Sequence, residues 1–227
     1  MMRLRIHCEV KSEMRALFFL ATALLFATTV QAQQVRSGTY LMSQGTVEVT
    51  RETYGFDGAT LADTVDFPTR GIRMESTASY DENYSPISYA LDLFRGSAEV
   101  PVQRVDVTFD DTAAVWSTHT EVGDSTGTTA LEGPYAFMQN LVFAHLAVIL
   151  LKYDHAKGGD QTLDVWMPEQ ESAVSMTIEF TSGTEGTVEI AGTVMNVEID
   201  EGGWLNRAAV PAQNVTVESV AQSSPAR

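Results

Sequence analysis

The sequence predicts a mainly β fold, in which a curved antiparallel sheet or half-barrel is wrapped around one central apolar helix. Three observations support this prediction. Short segments alternate apolar and polar residues with a period of two, as half-buried strands do. Turn-forming residues such as Gly, Asp and Pro separate these segments. One segment, residues 134–155, is apolar on nearly all of its faces, which is typical of a buried helix.

The chain begins with the three-part pattern of a secretory signal peptide. Basic residues precede an apolar run at residues 16–30, and small residues then precede a cleavage site after Ala32. The run is shorter than the roughly 20 residues that span a bilayer, so we expect a cleaved leader rather than an anchor. The segment before the run is long, which leaves either Met1 or Met14 as the start of translation.

The domain organisation follows from this leader. We expect a signal peptide at residues 1–32, a single β-rich domain at 33–221 with its helix at about 134–155, and a disordered tail at 222–227. No linker long enough to separate two domains is visible. We therefore expect an exported protein, periplasmic or extracellular, that meets a membrane surface only peripherally if at all.

Composition limits the partners and the chemistry. Asp and Glu outnumber Lys and Arg by 30 to 14, and the net charge is -16. This charge argues against a nucleic-acid partner, whose phosphates require clustered Lys and Arg. The one cysteine, Cys8, lies in the expected leader, so we expect no disulfide, no thiol nucleophile and no cysteine metal site in the mature chain.

The strands and the helix are predicted from local patterns. Alternation is clearest at residues 45–54, 87–93, 105–109 and 195–199, and the one-sided apolar face is typical of antiparallel sheet. Ala191-Gly192 predicts a tight hairpin. We expect roughly ten to twelve strands of ordinary length. In the predicted helix, Gln139, Asn140 and His145 interrupt the apolar surface, which favours burial in the domain over a membrane segment.

Several short motifs follow one another along the mature chain. They include Gly38-Thr39-Tyr40, Tyr84-x-Pro86, Val165-Trp166-Met167-Pro168 and Gly203-Trp204-Leu205-x-Arg207. Their order resembles a group of uncharacterised exported bacterial β-domains, some of which precede an α/β-hydrolase domain. The sheet-around-a-helix plan resembles that of periplasmic lipoprotein carriers. The resemblance covers nearly all of the mature chain and implies no catalytic residues.

No motif predicts a catalytic site, a metal site or a cofactor. Residues 123–127 match the Gly-x-Ser-x-Gly string of hydrolases, but no helix follows at once, so we interpret them as a hairpin turn. His119, His145 and His155 lack metal-ligand spacing. We expect no enzymatic activity, and a hydrolase without a convincing motif is the alternative.

Aromatic and apolar side chains favour an apolar ligand. We expect an exported, non-enzymatic protein that binds an apolar small molecule or lipid between sheet and helix. An accessory or structural module that docks on another cell-envelope protein is the alternative. For each candidate side chain, ordinary core packing is the competing interpretation. The candidate ligand-binding residues are Trp116, Phe137, Leu141, His145, Trp166 and Trp204.

Overall fold

The computed structural model describes residues 35–132 and 135–220, so the expected leader at 1–32 and tail at 222–227 lie outside the described residues. The described residues form one fifteen-stranded sheet, one short α-helix and one 3₁₀ turn. The fold is therefore mainly β, as predicted. The strand count exceeds the predicted ten to twelve, because several strands lack a clear apolar alternation.

The strands follow one another along the chain with short connections. They are β1 (Arg36–Gln44), β2 (Val47–Phe56), β3 (Thr60–Phe67), β4 (Ile72–Tyr80), β5 (Pro86–Arg95), β6 (Gln103–Phe109), β7 (Ala113–Thr120), β8 (Gly123–Ala130), β9 (Tyr135–Phe137), β10 (Gln161–Met167), β11 (Ser172–Phe180), β12 (Glu185–Ile190), β13 (Thr193–Ile199), β14 (Leu205–Val210) and β15 (Val215–Val220).

The sheet is an antiparallel meander that does not close on itself, so β8 and β9 are its two edge strands. Its order runs from β8 through β1 to β15 and on to β9, so that β1 and β15 join the two halves. The pairing of β9 with β10 is parallel, and all other pairings in the sheet are antiparallel. The predicted hairpin at Ala191-Gly192 is confirmed, because both residues have positive φ (48° and 76°) between β12 and β13.

The helix, α1 (Phe143–Leu150), is shorter than the predicted helix at 134–155. Residues 135–137 instead form β9, and Leu141 has a φ of 66°, a left-handed conformation that cannot continue a right-handed helix. An apolar run alone does not distinguish a buried strand from a buried helix, which explains the error. Every residue from Ala144 to Leu150 is buried, and α1 contacts β3, β9 and β14.

Two further findings concern membranes and the hydrolase-like string. Within residues 35–132 and 135–220, no helix has the length and apolar character needed to cross a bilayer. Residues 123–127 begin β8, and the turn lies one step earlier, at residues 121–122, so the interpretation of this string as a turn is wrong. All five residues of this string pair with residues of β7 in one regular antiparallel register.

Candidate functional site

A group of buried polar side chains surrounds the first turn of α1. We call Glu52, Asp63, Ser76, Gln139 and His145 the buried polar cluster; each is at most 6% exposed. Three of them come from neighbouring strands, β2, β3 and β4, at positions whose side chains face the core. Gln139 lies in the segment that precedes α1, and His145 lies in the first turn of α1. Polar groups so deeply buried require partners, and their contacts define the site.

Glu52 holds the start of α1. Its Oε2 accepts a hydrogen bond of 2.7 Å from the Phe143 backbone N–H, and its Oε1 accepts one of 2.9 Å from Ala144. The residue at the helix N-cap, Val142, has no side chain that can accept these donors. The carboxyl group of Glu52 on β2 thus accepts the N–H hydrogen bonds that a Ser or Asp at the N-cap usually accepts.

Burial gives the Glu52 carboxyl unusual acid–base properties. Desolvation raises its pKa well above the usual 4.5, and the nearby Asp63 carboxylate raises that pKa further. The two backbone N–H donors act in the opposite direction, but burial and Asp63 outweigh them. Glu52 therefore retains its proton to a higher pH in the folded protein than in the unfolded chain.

Asp63 connects Ser76 with His145. The Ser76 hydroxyl donates a hydrogen bond of 2.7 Å to Asp63 Oδ2, and His145 Nε2 lies 3.5 Å from the same oxygen. On the other side of the imidazole, the Gln139 backbone N–H donates to Nδ1 over 3.1 Å. Because Nδ1 accepts this hydrogen bond, the imidazole hydrogen lies on Nε2, the atom that faces Asp63.

Gln139 links the buried polar cluster to the protein surface. The Tyr89 hydroxyl donates a hydrogen bond of 3.0 Å to Gln139 Oε1, and the Gln139 amide donates to Glu169. Glu169 also accepts from the Asn140 backbone N–H over 2.9 Å. Glu169 is exposed, whereas Tyr89 is 2% exposed, so the hydrogen bonds run from the core to solvent. Burial raises the pKa of Tyr89 well above its usual value of 10. Contact with Gln139 and its neighbours partly desolvates the Glu169 carboxyl, although the residue is exposed overall, and this desolvation raises the pKa of Glu169.

Some buried polar atoms near this site have no hydrogen-bond partner. They include Asp63 Oδ1, His145 Nε2, the Tyr80 hydroxyl and Trp166 Nε1. Tyr80 is 4% exposed and Trp166 is 0% exposed. In folded proteins roughly nine in ten buried polar atoms are hydrogen-bonded, so each of these four atoms is an exception. They comprise both hydrogen-bond donors and an acceptor.

Three of the six candidate ligand-binding residues lie together. The Phe137 ring centre is 4.8 Å from that of His145 and 6.1 Å from that of Trp166. Phe109 from β6 completes this group, with its ring centre 5.8 Å from both Phe137 and Trp166. We call Phe109, Phe137 and Trp166 the aromatic wall. It adjoins the buried polar cluster through His145.

The other three candidates lie elsewhere. Trp204 stacks on Phe56, with 5.4 Å between ring centres, and its Nε1 donates to the Tyr54 hydroxyl over 2.9 Å. Trp116 lies on β7 and covers Gly127 of β8. Leu141 is partly buried in the segment before α1. Trp116 and Trp204 therefore pack in other parts of the sheet, whereas Leu141 lies in the segment that joins Phe137 to His145.

The hydrolase-like string does not form a catalytic triad with its neighbours. His119 Nδ1 lies 3.1 Å from Asp124 Oδ1, and these two residues are cross-strand partners. Ser125 follows Asp124 on the same strand, so its side chain faces the opposite side of the sheet. The described residues also contain no group of three His, Cys, Asp or Glu that could hold a metal ion.

Sequence reasoning missed the acidic members of the buried polar cluster, although a signal was present. Leu61, Asp63, Val65 and Phe67 share one face of β3, so Asp63 replaces an apolar residue in an apolar series. Glu52 likewise shares its face of β2 with aromatic residues. Asp66, the other acidic residue near the end of β3, lies on the opposite, exposed face of the strand.

Comparison with known proteins identifies fold neighbours only. No protein-family model matches the chain, and no curated protein matches its sequence. A DUF1089 family protein from Pseudomonas aeruginosa superposes with a TM-score of 0.54 at 11% identity, covering 70% of this chain and 89% of that one. A beta-barrel-like protein of the domain of unknown function DUF1849, from Brucella abortus, gives a TM-score of 0.48 at 13% identity, over 81% and 92% of the two chains. The likeness to the Pseudomonas aeruginosa protein agrees with the predicted resemblance to uncharacterised β-domains, and it concerns the fold alone.

Proposed function

We propose that this protein is an exported, non-enzymatic binding protein that holds an apolar or lipid ligand between its sheet and α1. The observation that carries the proposal is the pair of unpartnered buried nitrogens, His145 Nε2 and Trp166 Nε1, whose rings both contact Phe137. An apolar surface with a few polar atoms is the usual lining of a ligand site. The signal-peptide pattern at residues 1–32 supports export.

The proposal includes a sheet that curves around the helix, as in the plan of periplasmic lipoprotein carriers. Ring contacts across the sheet support this curvature. Phe109 on β6 lies 5.8 Å from Trp166 on β10, although these strands are eleven positions apart in the sheet order. In a flat sheet that separation would be roughly 50 Å, given about 4.8 Å between neighbouring strands. Contact between the two rings therefore requires a strongly rolled sheet.

The ligand's polar end is constrained by charge. The Tyr80 hydroxyl and Trp166 Nε1 can donate hydrogen bonds, and Asp63 Oδ1 can accept one. A negative charge on the ligand beside the buried Glu52 and Asp63 carboxyls would carry an uncompensated desolvation cost. We therefore propose a ligand with an apolar body and a neutral end that both donates and accepts hydrogen bonds.

Two measurements test this function. Native mass spectrometry of protein purified from its own host would detect a ligand that remains bound. Titration with the neutral apolar fluorophore N-phenyl-1-naphthylamine would report an apolar site by enhanced emission. Absence of a copurified ligand together with absence of probe binding would refute the proposal.

Two tryptophan variants test whether the probe binds at the aromatic wall. Trp166→Phe removes an unpartnered Nε1 and reshapes the aromatic wall, whereas Trp204→Phe removes an Nε1 that donates to Tyr54. Both tryptophans are at most 3% exposed. We expect Trp166→Phe to weaken probe binding roughly fivefold, the equivalent of about 1 kcal/mol of aromatic contact. Trp204→Phe is expected to lower stability and leave probe affinity unchanged; equal effects on binding would place the ligand elsewhere.

A further inference from the structure

The two edges of the sheet differ sharply. The edge strand β9 has three residues, of which Ala136 and Phe137 are 1% exposed. The edge strand β8 has eight residues, six of them exposed, and among the described residues it pairs only with β7. A long edge strand presents a row of unpaired backbone N–H and C=O groups that can accept another strand. One edge is thus short and buried, and the other is long and open.

The β8 edge also lacks the features that usually block strand pairing. Residues 123–130 contain no Lys, Arg or Pro, and their pairing with β7 shows no register shift. Three threonines favour the extended conformation. The Thr129 hydroxyl donates a hydrogen bond of 2.8 Å to the Glu171 carbonyl, which fixes the end of the strand. The edge is therefore ordered in advance of any association.

The sequence of β8 is self-complementary in one antiparallel register. When two copies of β8 pair about Gly127, Ser125 lies opposite Thr129 of the second copy, and Thr126 lies opposite Thr128 of the second copy. Thr–Thr and Ser–Thr pairs are favourable cross-strand pairs. Asp124, the one charged residue of β8, lies opposite Ala130 of the second copy, so no two carboxylates meet.

We propose that β8 is a self-association edge through which two copies of this chain pair antiparallel and join their sheets. The distribution of negative charge on the chain favours β8 as the point of contact between two copies. The chain has a net charge of -16, so most surfaces of two copies repel one another, whereas the last six residues of β8 are uncharged. The contact is symmetric and closes at two copies, because residues 35–132 and 135–220 of each chain provide one such long, open edge.

The strand pair is a small interface, and its affinity follows from its size. Stable complexes bury about 1,200–2,000 Å² in total, and a single pair of eight-residue strands lies at or below the low end of that range. We therefore expect a reversible dimer whose dissociation constant is on the order of 10 μM. At lower concentration the protein is expected to be a monomer.

Sedimentation equilibrium across this concentration range tests the proposal. The double variant Thr126→Lys/Thr128→Lys places lysines opposite lysines in the paired register and should weaken the dimer at least about tenfold. The control variant Thr53→Lys/Thr77→Lys makes the same change of charge at exposed positions of β2 and β4, which are flanked by strands on both sides. It should dimerise as the wild type does, and circular dichroism should show the same fold for both variants.

Disulfide trapping tests the register independently. In a Cys8→Ser background, Thr126→Cys protein and Thr128→Cys protein are oxidised separately and as a mixture. The paired register predicts that the mixture forms a cross-linked heterodimer in excess of either protein alone. A wild type that remains monomeric at all concentrations, or that binds only another protein, overturns the proposal. A dimer that survives the double lysine substitution, or cross-links equally without mixing, also overturns it.

Discussion

Replacing Glu52 with Gln tests the effect of a buried carboxyl at the start of α1. Glu52 accepts hydrogen bonds from the backbone N–H groups of Phe143 and Ala144, at 2.7 and 2.9 Å. Gln has nearly the same shape as a protonated Glu and retains an oxygen acceptor. The substitution therefore removes the titration of this position while it preserves most of the local packing.

The sign of the expected pH effect follows from the raised pKa. Desolvation by burial, and then Asp63, raise the pKa of folded Glu52 well above 4.5, the usual value in an unfolded chain. Between these two pKa values the folded protein binds more protons than the unfolded chain. The free energy of unfolding of the wild type therefore falls as pH rises through this window. Below the unfolded pKa the contribution is fully present.

The magnitude is set by linkage. One group that is protonated in the folded state and ionised in the unfolded state changes the free energy of unfolding by about 1.4 kcal/mol per pH unit. Within the window between the unfolded and the folded pKa of Glu52, wild-type protein should therefore lose up to about 1.4 kcal/mol more per pH unit than Glu52→Gln. Other titrating groups, including Glu169, contribute to both proteins and cancel in the difference.

Urea denaturation, followed by tryptophan fluorescence at several pH values, measures this difference. The control variant is Glu189→Gln, at an exposed position of β12, whose curve should remain parallel to that of the wild type. A second variant, Glu52→Ala, removes both acceptors and should cost about 2–5 kcal/mol at every pH, because two buried N–H groups lose their partner. Parallel pH curves for wild type and Glu52→Gln would refute the argument from burial.

Two glycine-dependent features give further predictions. Gly127→Ala should destabilise the protein by about 1–3 kcal/mol in urea denaturation, because overpacking forces neighbours to move; its Cβ would lie 2.4 Å from the Trp116 ring. The matched change Gly55→Ala, where no atom lies within 4 Å, should be neutral or slightly stabilising, and equal losses at the two sites would contradict this. Ala191→Asn should raise the free energy of unfolding by about 0.5–1 kcal/mol, because Asn-Gly suits a turn with two positive φ angles; an unchanged or lower midpoint would count against it.

The strands could be predicted from the sequence where alternation is one-sided. Residues 195–199 alternate Met, Val and Ile with polar residues, and they form β13. β8 was missed because six of its eight residues are exposed, so no apolar period marks it. β9 was merged into the helix prediction because its three residues are apolar like those of α1. Exposed strands and very short buried strands therefore escape a method that depends on apolar periodicity.

The site could be predicted only in part. His145 and the aromatic residues Phe137 and Trp166 were recognised as candidates, and the structure places them together. Their acidic neighbour was not recognised, because Glu52 meets the helix N-terminus across 91 residues of sequence. A local pattern can identify a carboxylate on an apolar face, but it cannot identify its partner. Long-range sheet register supplies that information.

The buried polar cluster is difficult to explain by stability alone. Burying Glu52 and Asp63 near one another costs desolvation energy, and the two carboxyls raise rather than relieve each other's electrostatic cost. An apolar residue at either position would usually be neutral or favourable, and a Ser or Asp at position 142 would provide the cap for α1 locally. The arrangement instead leaves Asp63 Oδ1 and Trp166 Nε1 unpartnered beside an aromatic surface. A cost that packing does not require fits the proposed binding function, in which such polar groups have a partner outside the chain.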